Sequence, residues 1–436
     1  MKRLLISIVI VLGVIPGVFA QSETTSFMVD GIKVIFKPTV KDVINVRLFF
    51  RGGVANYPAS QAGIEKFALT ATLQCGTQQY NAQAFRDSTD AYGIDIGAGA
   101  DLDFGDIDMD CISKYFDRAW DLLTQAVVNP SFEDNEVELL KNKLVAEAKA
   151  GVTNPDNYAR LLVLQNAFET TPYATNPAGT EETISKLSAN DIKNYYKSIL
   201  NKKQLFIVIA GKITKEELIA KIHASFSGLP SRHYAQPDLR EPVWNDGKII
   251  TENRQLSTNY IYGIMNSPLV ASDDYVPYRL GITILGSVLF QDLRSRLNLS
   301  YDPGAFSQMQ QMPYAVMYIS TNDPKAAVKE MVNMFKLLGG REISASTLEH
   351  LKNSYITTSY IRQQSTASIT SSLGVAEILG ALDKEENLPA LVNKVTADQI
   401  AIVLTKYIKG LRWSYLGNAD MEQEAEAAHV FQDKLN

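Results

Sequence analysis

Arg294 and Tyr301 are the side chains best placed to do chemistry. Leu285, Val288, Leu289 and Leu293 follow the 3-4 spacing of an amphipathic helix, which predicts a helix running to about Arg296. Asn298 tolerates a left-handed backbone and can end that helix, and Tyr301-Asp302-Pro303-Gly304 then turns the chain toward a strand. Arg294 would sit in the last turn and Tyr301 just beyond it. Together they could aim a guanidinium and a phenol, both hydrogen-bond donors, into one space. The plainer alternative is a helix-end Arg294 paired with Asp292, beside a buried Tyr301.

Other chemistry finds little support. The four histidines are His223, His233, His350 and His429, scattered singly, so nothing before residue 223 offers an imidazole. Cys75 and Cys111 are too few for a four-ligand structural zinc site; two buried thiols are the expectation, although export would permit a disulfide. No Gly-x-Ser-x-Gly elbow with a later histidine is present. Gly52-Gly53 and Gly97-Ala98-Gly99 lack the lysine of a phosphate loop. Glu133-Asp134 and Glu422 to Glu426 read as solvated helix faces. The net charge of −6 comes without a basic stripe, which excludes a nucleic-acid binder and suits neutral or basic peptide ligands.

The elements that must position Arg294 and Tyr301 come in two copies of one plan. Lys2 and Arg3, the apolar run from Leu4 to about Ile15, and Val18-Phe19-Ala20 predict a cleaved signal peptide over 1–20. The run is shorter than the roughly 20 residues of a spanning helix, so no stable membrane span is expected. Asp30-Gly31 is a hairpin signal, Ile44 to Phe50 a strand, and 63–74 and 82–91 helices. Paired strands at 94–99 and 105–111 precede helices at 112–128, 133–150 and 157–169. Gln204 to Ala210 reads as a central strand and Lys215 to Phe226 as a helix. After a proline-bearing linker come strands at 247–251 and 257–264, a helix at 273–296, strands at 302–309 and 314–320, and helices at 324–338 and 344–364. Val395-Thr396-Ala397-Asp398-Gln399-Ile400 mirrors Leu187-Ser188-Ala189-Asn190-Asp191-Ile192, and Ser346 to Asn353 mirrors Glu136 to Asn142. A repeat this long implies two similar domains, each a mostly antiparallel sheet backed by helices, an α+β fold.

The segment from Gly286 to Tyr301 resembles the Arg…Tyr element of insulinase-like (pitrilysin-type, inverted-motif) zinc peptidases, with Asn298 in place of a glycine. Thr171-Pro172-Tyr173, Gly179-Thr180-Glu181-Glu182 and the Leu187-Ser188 helix start extend the resemblance over nearly the whole mature chain. It implies a clam-shell of duplicated domains, in which a peptide pairs with a sheet edge by strand addition. The expected division is an N-terminal peptidase-like domain at 25–229, a linker at 230–246, a C-terminal peptidase-like domain at 247–420 and a tail at 421–436.

Catalytic members of that family carry His-x-x-Glu-His on the first long helix and a distant Glu as third ligand. Here Lys66, Leu69 and Thr70 occupy those positions, with Glu147 at the third. Lysine is a positive charge where a cation should bind, leucine is no base, and threonine is a poor zinc ligand, so no zinc is expected in this chain. The resemblance implies the zinc-less partner of a two-chain peptidase, exported to the periplasm or beyond the cell. A zinc-bearing sibling would complete a heterodimer, while Arg294 and Tyr301 bind an extended peptide opposite its metal. A non-enzymatic peptide-binding protein and a structural subunit of an envelope complex are the alternatives.

Overall fold

Asp30 and Gly31 take φ of 49° and 89°, the left-handed pair of a two-residue hairpin, and join β1 (Thr25–Val29) to β2 (Ile32–Pro38). The computed structural model describes residues 23–340, 343–427 and 429–432; the expected signal peptide lies outside them. With β3 (Val43–Arg51), β4 (Asp95–Ala100), β5 (Phe104–Ile112) and β6 (Leu205–Gly211), the hairpin builds a six-stranded sheet in the order β1-β2-β6-β3-β5-β4. Only β2 and β6 pair in parallel. Helices α1 (Ile64–Gln74), α2 (Ala82–Tyr92), α3 (Phe116–Val128), α4 (Asp134–Thr153), α5 (Pro155–Ala167), α6 (Glu181–Ser185), α7 (Ala189–Ile199) and α8 (Lys215–Phe226) belong to this half.

The second half repeats the scheme. β7 (Lys248–Asn253), β8 (Asn259–Asn266), β9 (Gly304–Gln308), β10 (Tyr314–Thr321) and β11 (Arg412–Gly417) form a five-stranded sheet ordered β7-β11-β8-β10-β9, again with one parallel pair, β7 with β11. Its helices are α9 (Tyr275–Leu289), α10 (Pro324–Gly340), α11 (Ala345–Arg362), α12 (Thr366–Ile378), α13 (Leu382–Glu386), α14 (Leu388–Lys394), α15 (Ala397–Tyr407) and α16 (Ala419–Ala427). The fold is thus α+β and duplicated, clam-shell-like, as the sequence implies. Among the described residues, no helix is long and apolar enough to cross a membrane.

The mirrored motifs do matching work. Ser188 and Asp191 form a capping box on α7, as Thr396 and Gln399 do on α15. Lys141 on α4 pairs with Glu138 and reaches the Leu187 carbonyl at 3.3 Å; its counterpart Lys352 on α11 pairs with Glu349 and reaches the Asn393 carbonyl at 3.1 Å. Each lysine ties a long helix to the chain just before the capped helix.

What the repeat does not announce is an exchange of helices between the halves. The first sheet is apolar toward its own helices, and on its other side it has an apolar centre bordered by Arg47, Asp106 and Asp108; β6 is buried at every position. Val46, Leu48 and Phe50 face the half's own helices, packing in one cluster with Phe67 of α1 and Leu123 of α3. The opposite face, formed by Ile35, Phe49, Phe206, Val208 and Ala210, is covered by Ile369, Leu373 and Ile378 of α12 from the second half. In return α5, from the first half, packs on β8 and β11 of the second sheet. Side chains pin both visitors. Glu377 of α12 accepts from Lys33 and Arg51, each at 2.7 Å, and Thr370 donates to Asn45. Toward α5, Ser414 Oγ donates to the Ala159 carbonyl at 2.7 Å and Tyr262 to Asp156 at 2.9 Å; Asn166 of α5 donates to the Trp413 carbonyl at 2.8 Å.

A polar latch closes the same interface. Asp103 accepts from the Gln311 backbone N–H at 2.8 Å, from the Gln311 side chain at 3.1 Å and from the Tyr173 hydroxyl, which itself accepts from the Met312 N–H at 3.2 Å. The Thr171-Pro172-Tyr173 motif therefore serves packing between the halves. The proline-bearing segment after α8 is also fixed: Trp244 is buried, stacks edge-on against Phe168 at 5.7 Å, and donates its N–H to Asn266 at 3.1 Å.

Elements missed by the spacing rules fall in 366–394, where α12, α13 and α14 form. α12 buries Thr366, Thr370, Gly374 and Ala376 along with its aliphatics, so it carries no clean apolar stripe. Cys75 and Cys111 are both buried and free, and burial pushes each thiol up to about 12.

Two glycines in helices give opposite expectations for one substitution. A Cβ on Gly374 would overlap the Phe49 ring, whereas one on Gly151 of α4 meets nothing within 4 Å. Alanine gains about 1 kcal/mol of helix propensity at either site, but overpacking costs about 1–3 kcal/mol. Chemical denaturation should therefore show Gly151→Ala stabilised by up to about 1 kcal/mol and Gly374→Ala destabilised.

Candidate functional site

The helix carrying Arg294 changes its winding before it ends. α9 runs to Leu289 and continues as a π-helical segment, Phe290–Arg296, closed by Leu297 N–H donating to the Asp292 carbonyl at 2.9 Å. Such widened turns re-aim the side chains that follow. Asn298 at φ 52° then lets the Leu299 N–H reach the Leu293 carbonyl at 2.8 Å, which explains why glycine or asparagine suits this position. Leu293 is fully buried and anchors the segment, leaving its neighbour Arg294 on the outer side.

The Arg294 guanidinium lies over two rings, 4.2 Å from the Tyr301 centroid and 4.8 Å from that of Phe290. Tyr301 is 78% exposed, so its hydroxyl is open to a ligand. The plainer reading of this pair is overturned on both counts. Asp292 is taken by Arg296 at 3.0 Å, one helical turn on, and Arg296 also holds Glu330 at 2.9 Å; Tyr301 is not buried. A guanidinium stacked on aromatic faces keeps its in-plane N–H donors available. Phe290, on which Arg294 lies, and Asp302 and Pro303, which follow Tyr301, line a chamber of about 1940 Å³ together with Lys37 and Lys41 from the first half; Arg294 and Tyr301 are not themselves in its wall.

On α1 the residues at the inverted-motif positions are laid out differently. Lys66 donates to Glu147 of α4 at 3.2 Å, an ammonium against the carboxylate at the expected third-ligand position. Leu69 is fully buried against Gly105 of β5, and Thr70 is half-buried. Among the described residues no group of three or more His, Cys, Asp and Glu is arranged to hold a metal ion. Lys66, Leu69, Thr70 and Glu147 do not fit zinc, because the only carboxylate is neutralised by a fixed positive charge. The structure draws Lys66 to Glu147 and Arg294 to Tyr301, but no recorded contact joins the two pairs.

Sequence reasoning missed Glu65, next to Lys66. It is fully buried, accepts from the Tyr195 hydroxyl and from Asn56 at 3.4 Å, and leaves Oε1 without a partner. Desolvation pushes its carboxyl up to about 7, against the lowering pull of those hydrogen bonds. Its place in the first turn of α1 looks like an ordinary helix-start acid, so only the approach of Gly105 reveals the burial.

A carboxyl whose folded value lies above its unfolded one stabilises the fold below the unfolded value, and that stability is lost as pH rises through the folded one. For Glu65 the window runs from about 4.5 to about 7. Glu65→Gln keeps an acceptor for Tyr195 and never ionises, so it should raise stability at pH 8 by about 1–3 kcal/mol and flatten the pH dependence across that window. Urea denaturation of both proteins from pH 4 to 8 measures it.

Similarity to known proteins follows this geometry. Residues 33–181 match the model of "Insulinase (Peptidase family M16)" and residues 186–355 that of "Peptidase M16 inactive domain". The non-peptidase homolog YmxG of Helicobacter pylori is 23% identical over 351 residues, covering 77% of this chain and 80% of its own. The crystal structure of a protease from Helicobacter pylori superposes with a TM-score of 0.85 at 16% identity, over 91% of this chain and all (100%) of the other. The first half of the periplasmic protease PqqL from Escherichia coli gives 0.73 at 16% identity, over 94% and 96%. With two successive models of one family along its length, and the residues at its inverted-motif positions unsuited to zinc, the chain belongs to the insulinase (M16) peptidase family as a homologue without a metal-binding cluster among its described residues.

Proposed function

We propose that this chain is the zinc-less partner of a two-chain insulinase-like peptidase, exported to the periplasm or beyond the cell. It binds extended peptide, and Arg294 and Tyr301 donate hydrogen bonds opposite a zinc-bearing sibling. The observation that carries this reading is the contrast within one chain: an exposed donor pair beside a large chamber, and a first helix whose Lys66 neutralises Glu147. Arg294 and Tyr301 supply positive charge and donors where negative charge would grow on a carbonyl. The likeness to the periplasmic PqqL half supports the export reading.

A second reading is a non-enzymatic peptide-binding chain, favoured by the name of the Helicobacter pylori relative, non-peptidase homolog. Both use the same donor pair. A sibling chain with an intact zinc motif that co-purifies with this one separates them in favour of the first.

In a reconstituted pair, Arg294→Ala should leave the mass of the complex unchanged and lower kcat by about 10²–10³. Tyr301→Phe keeps the stacking face for Arg294 and removes only the hydroxyl, so its loss of rate reports the phenol as donor. An unchanged rate in both variants would remove the pair from the mechanism.

A further inference from the structure

The chamber contains a guanidinium whose donor edge no carboxylate among the described residues closes on. Arg279 of α9 lines it, stacks over the Tyr355 ring at 5.2 Å, and makes one hydrogen bond, to the Met309 sulfur at 3.4 Å. A thioether is a weak acceptor, and among the described residues no carboxylate forms an ion pair with Arg279. Two phenols beside it are also unanswered. Tyr275, one helical turn earlier on α9, is 3% exposed, and its hydroxyl and that of Tyr355 have no hydrogen-bond partner. Arg362, at the end of α11, lines the same chamber, as does Glu385, which feels both arginines without closing on either. Glu386 lines the chamber as well, so the wall carries no net excess of charge; what stands open is the donor edge of Arg279, on which no carboxylate among the described residues closes.

Buried polar groups are nearly always paired. A guanidinium held flat on a ring, with its donor edge free, is preorganised for the planar, two-point recognition of a carboxylate. We propose that this wall is a carboxylate-binding site, centred on Arg279 and assisted by Arg362, and that its occupant is a carboxylate of an extended peptide held in the chamber. The identity of the occupant rests on the peptide-binding reading above; the anion site itself does not. The Tyr355 hydroxyl, which lines the chamber, is the donor that turns to the bound group.

Three N-terminally fluorescein-labelled decapeptides of alternating Ala and Ser test this by fluorescence anisotropy with the full-length mature chain: one with a free C-terminus, one amidated, and one amidated with a central Glu. The wild type should bind the carboxylate-bearing peptides about tenfold more tightly than the neutral one, as expected for a charge-assisted pair. Arg279→Gln should abolish the difference, and the exposed Arg362→Gln should reduce it even if Arg279→Gln is poorly folded. The free C-terminus and the central Glu tell which carboxylate is taken. In parallel, glutarate should raise the Tm of the wild type and not that of Arg279→Gln. Equal peptide affinities with no glutarate effect, or a difference that survives both substitutions, overturns the site. A glutarate effect lost in Arg279→Gln, with no peptide bound, supports the site and refutes the peptide occupant. An equal Tm rise with inorganic phosphate overturns the assignment to carboxylates.

Discussion

Each half of this protein makes a sheet whose own helices cover one face and leave an apolar patch on the other. The face left over has to be covered by the other half, and α12 and α5 are exchanged for that purpose. Burying side chains such as Ile369, Leu373 and Ile378 contributes roughly 1.5–3 kcal/mol each, a large share of the roughly 5–15 kcal/mol that holds a typical domain together. Separating the halves would expose those faces and strand Glu377, Asn45 and Asn166, whose partners lie across the interface. The duplicated units are therefore one folding problem, not two beads on a linker. The chamber, walled by both halves, inherits its shape from that exchange.

The two residue pairs of the candidate site are held by different physics. Lys66 and Glu147 are partly exposed, so their pair contributes at most about 1 kcal/mol. Its consequence is electrostatic exclusion: a fixed ammonium beside the carboxylate repels a divalent cation and satisfies the ligand that would have attracted it. On the other half, the π-helical turn places Arg294 across two rings and leaves Tyr301 in solvent. That arrangement has little use for stability, since an exposed phenol and an unpaired guanidinium gain little from folding.

Buried carboxylates mark where the fold accepts an electrostatic cost. Glu65 and Asp103 are both pushed upward by desolvation, Asp103 to about 6. Each is held by a tyrosine hydroxyl, Tyr195 and Tyr173 respectively. Asp103 lies in the latch between the halves and Glu65 in the first turn of α1 against Gly105 of β5, so each reports on how firmly its own elements are docked.

Local pattern was enough for much of this. The Asp30-Gly31 hairpin, the capping boxes at Ser188 and Thr396, the left-handed Asn298 and the central strand at Leu205–Gly211 depend on backbone preference and nearest neighbours, and the sequence carries those directly. The rewritten positions Lys66, Leu69 and Thr70 were legible as residue types that cannot hold zinc. Only the folded chain decided the rest. α12 shows no clean apolar stripe because Thr366, Thr370 and Gly374 are buried on the distant sheet together with Ile369, Leu373 and Ile378. The burial of Glu65 behind Gly105 and the unanswered Arg279 depend on groups far apart in the chain, whereas the widened turn under Arg294 and the pairing of Asp292 with Arg296 are local geometry that residue spacing did not choose between. Periodicity reports which face of an element is apolar; it does not report which surface will cover that face, and in a protein of two nearly equivalent halves that choice is made by tertiary packing.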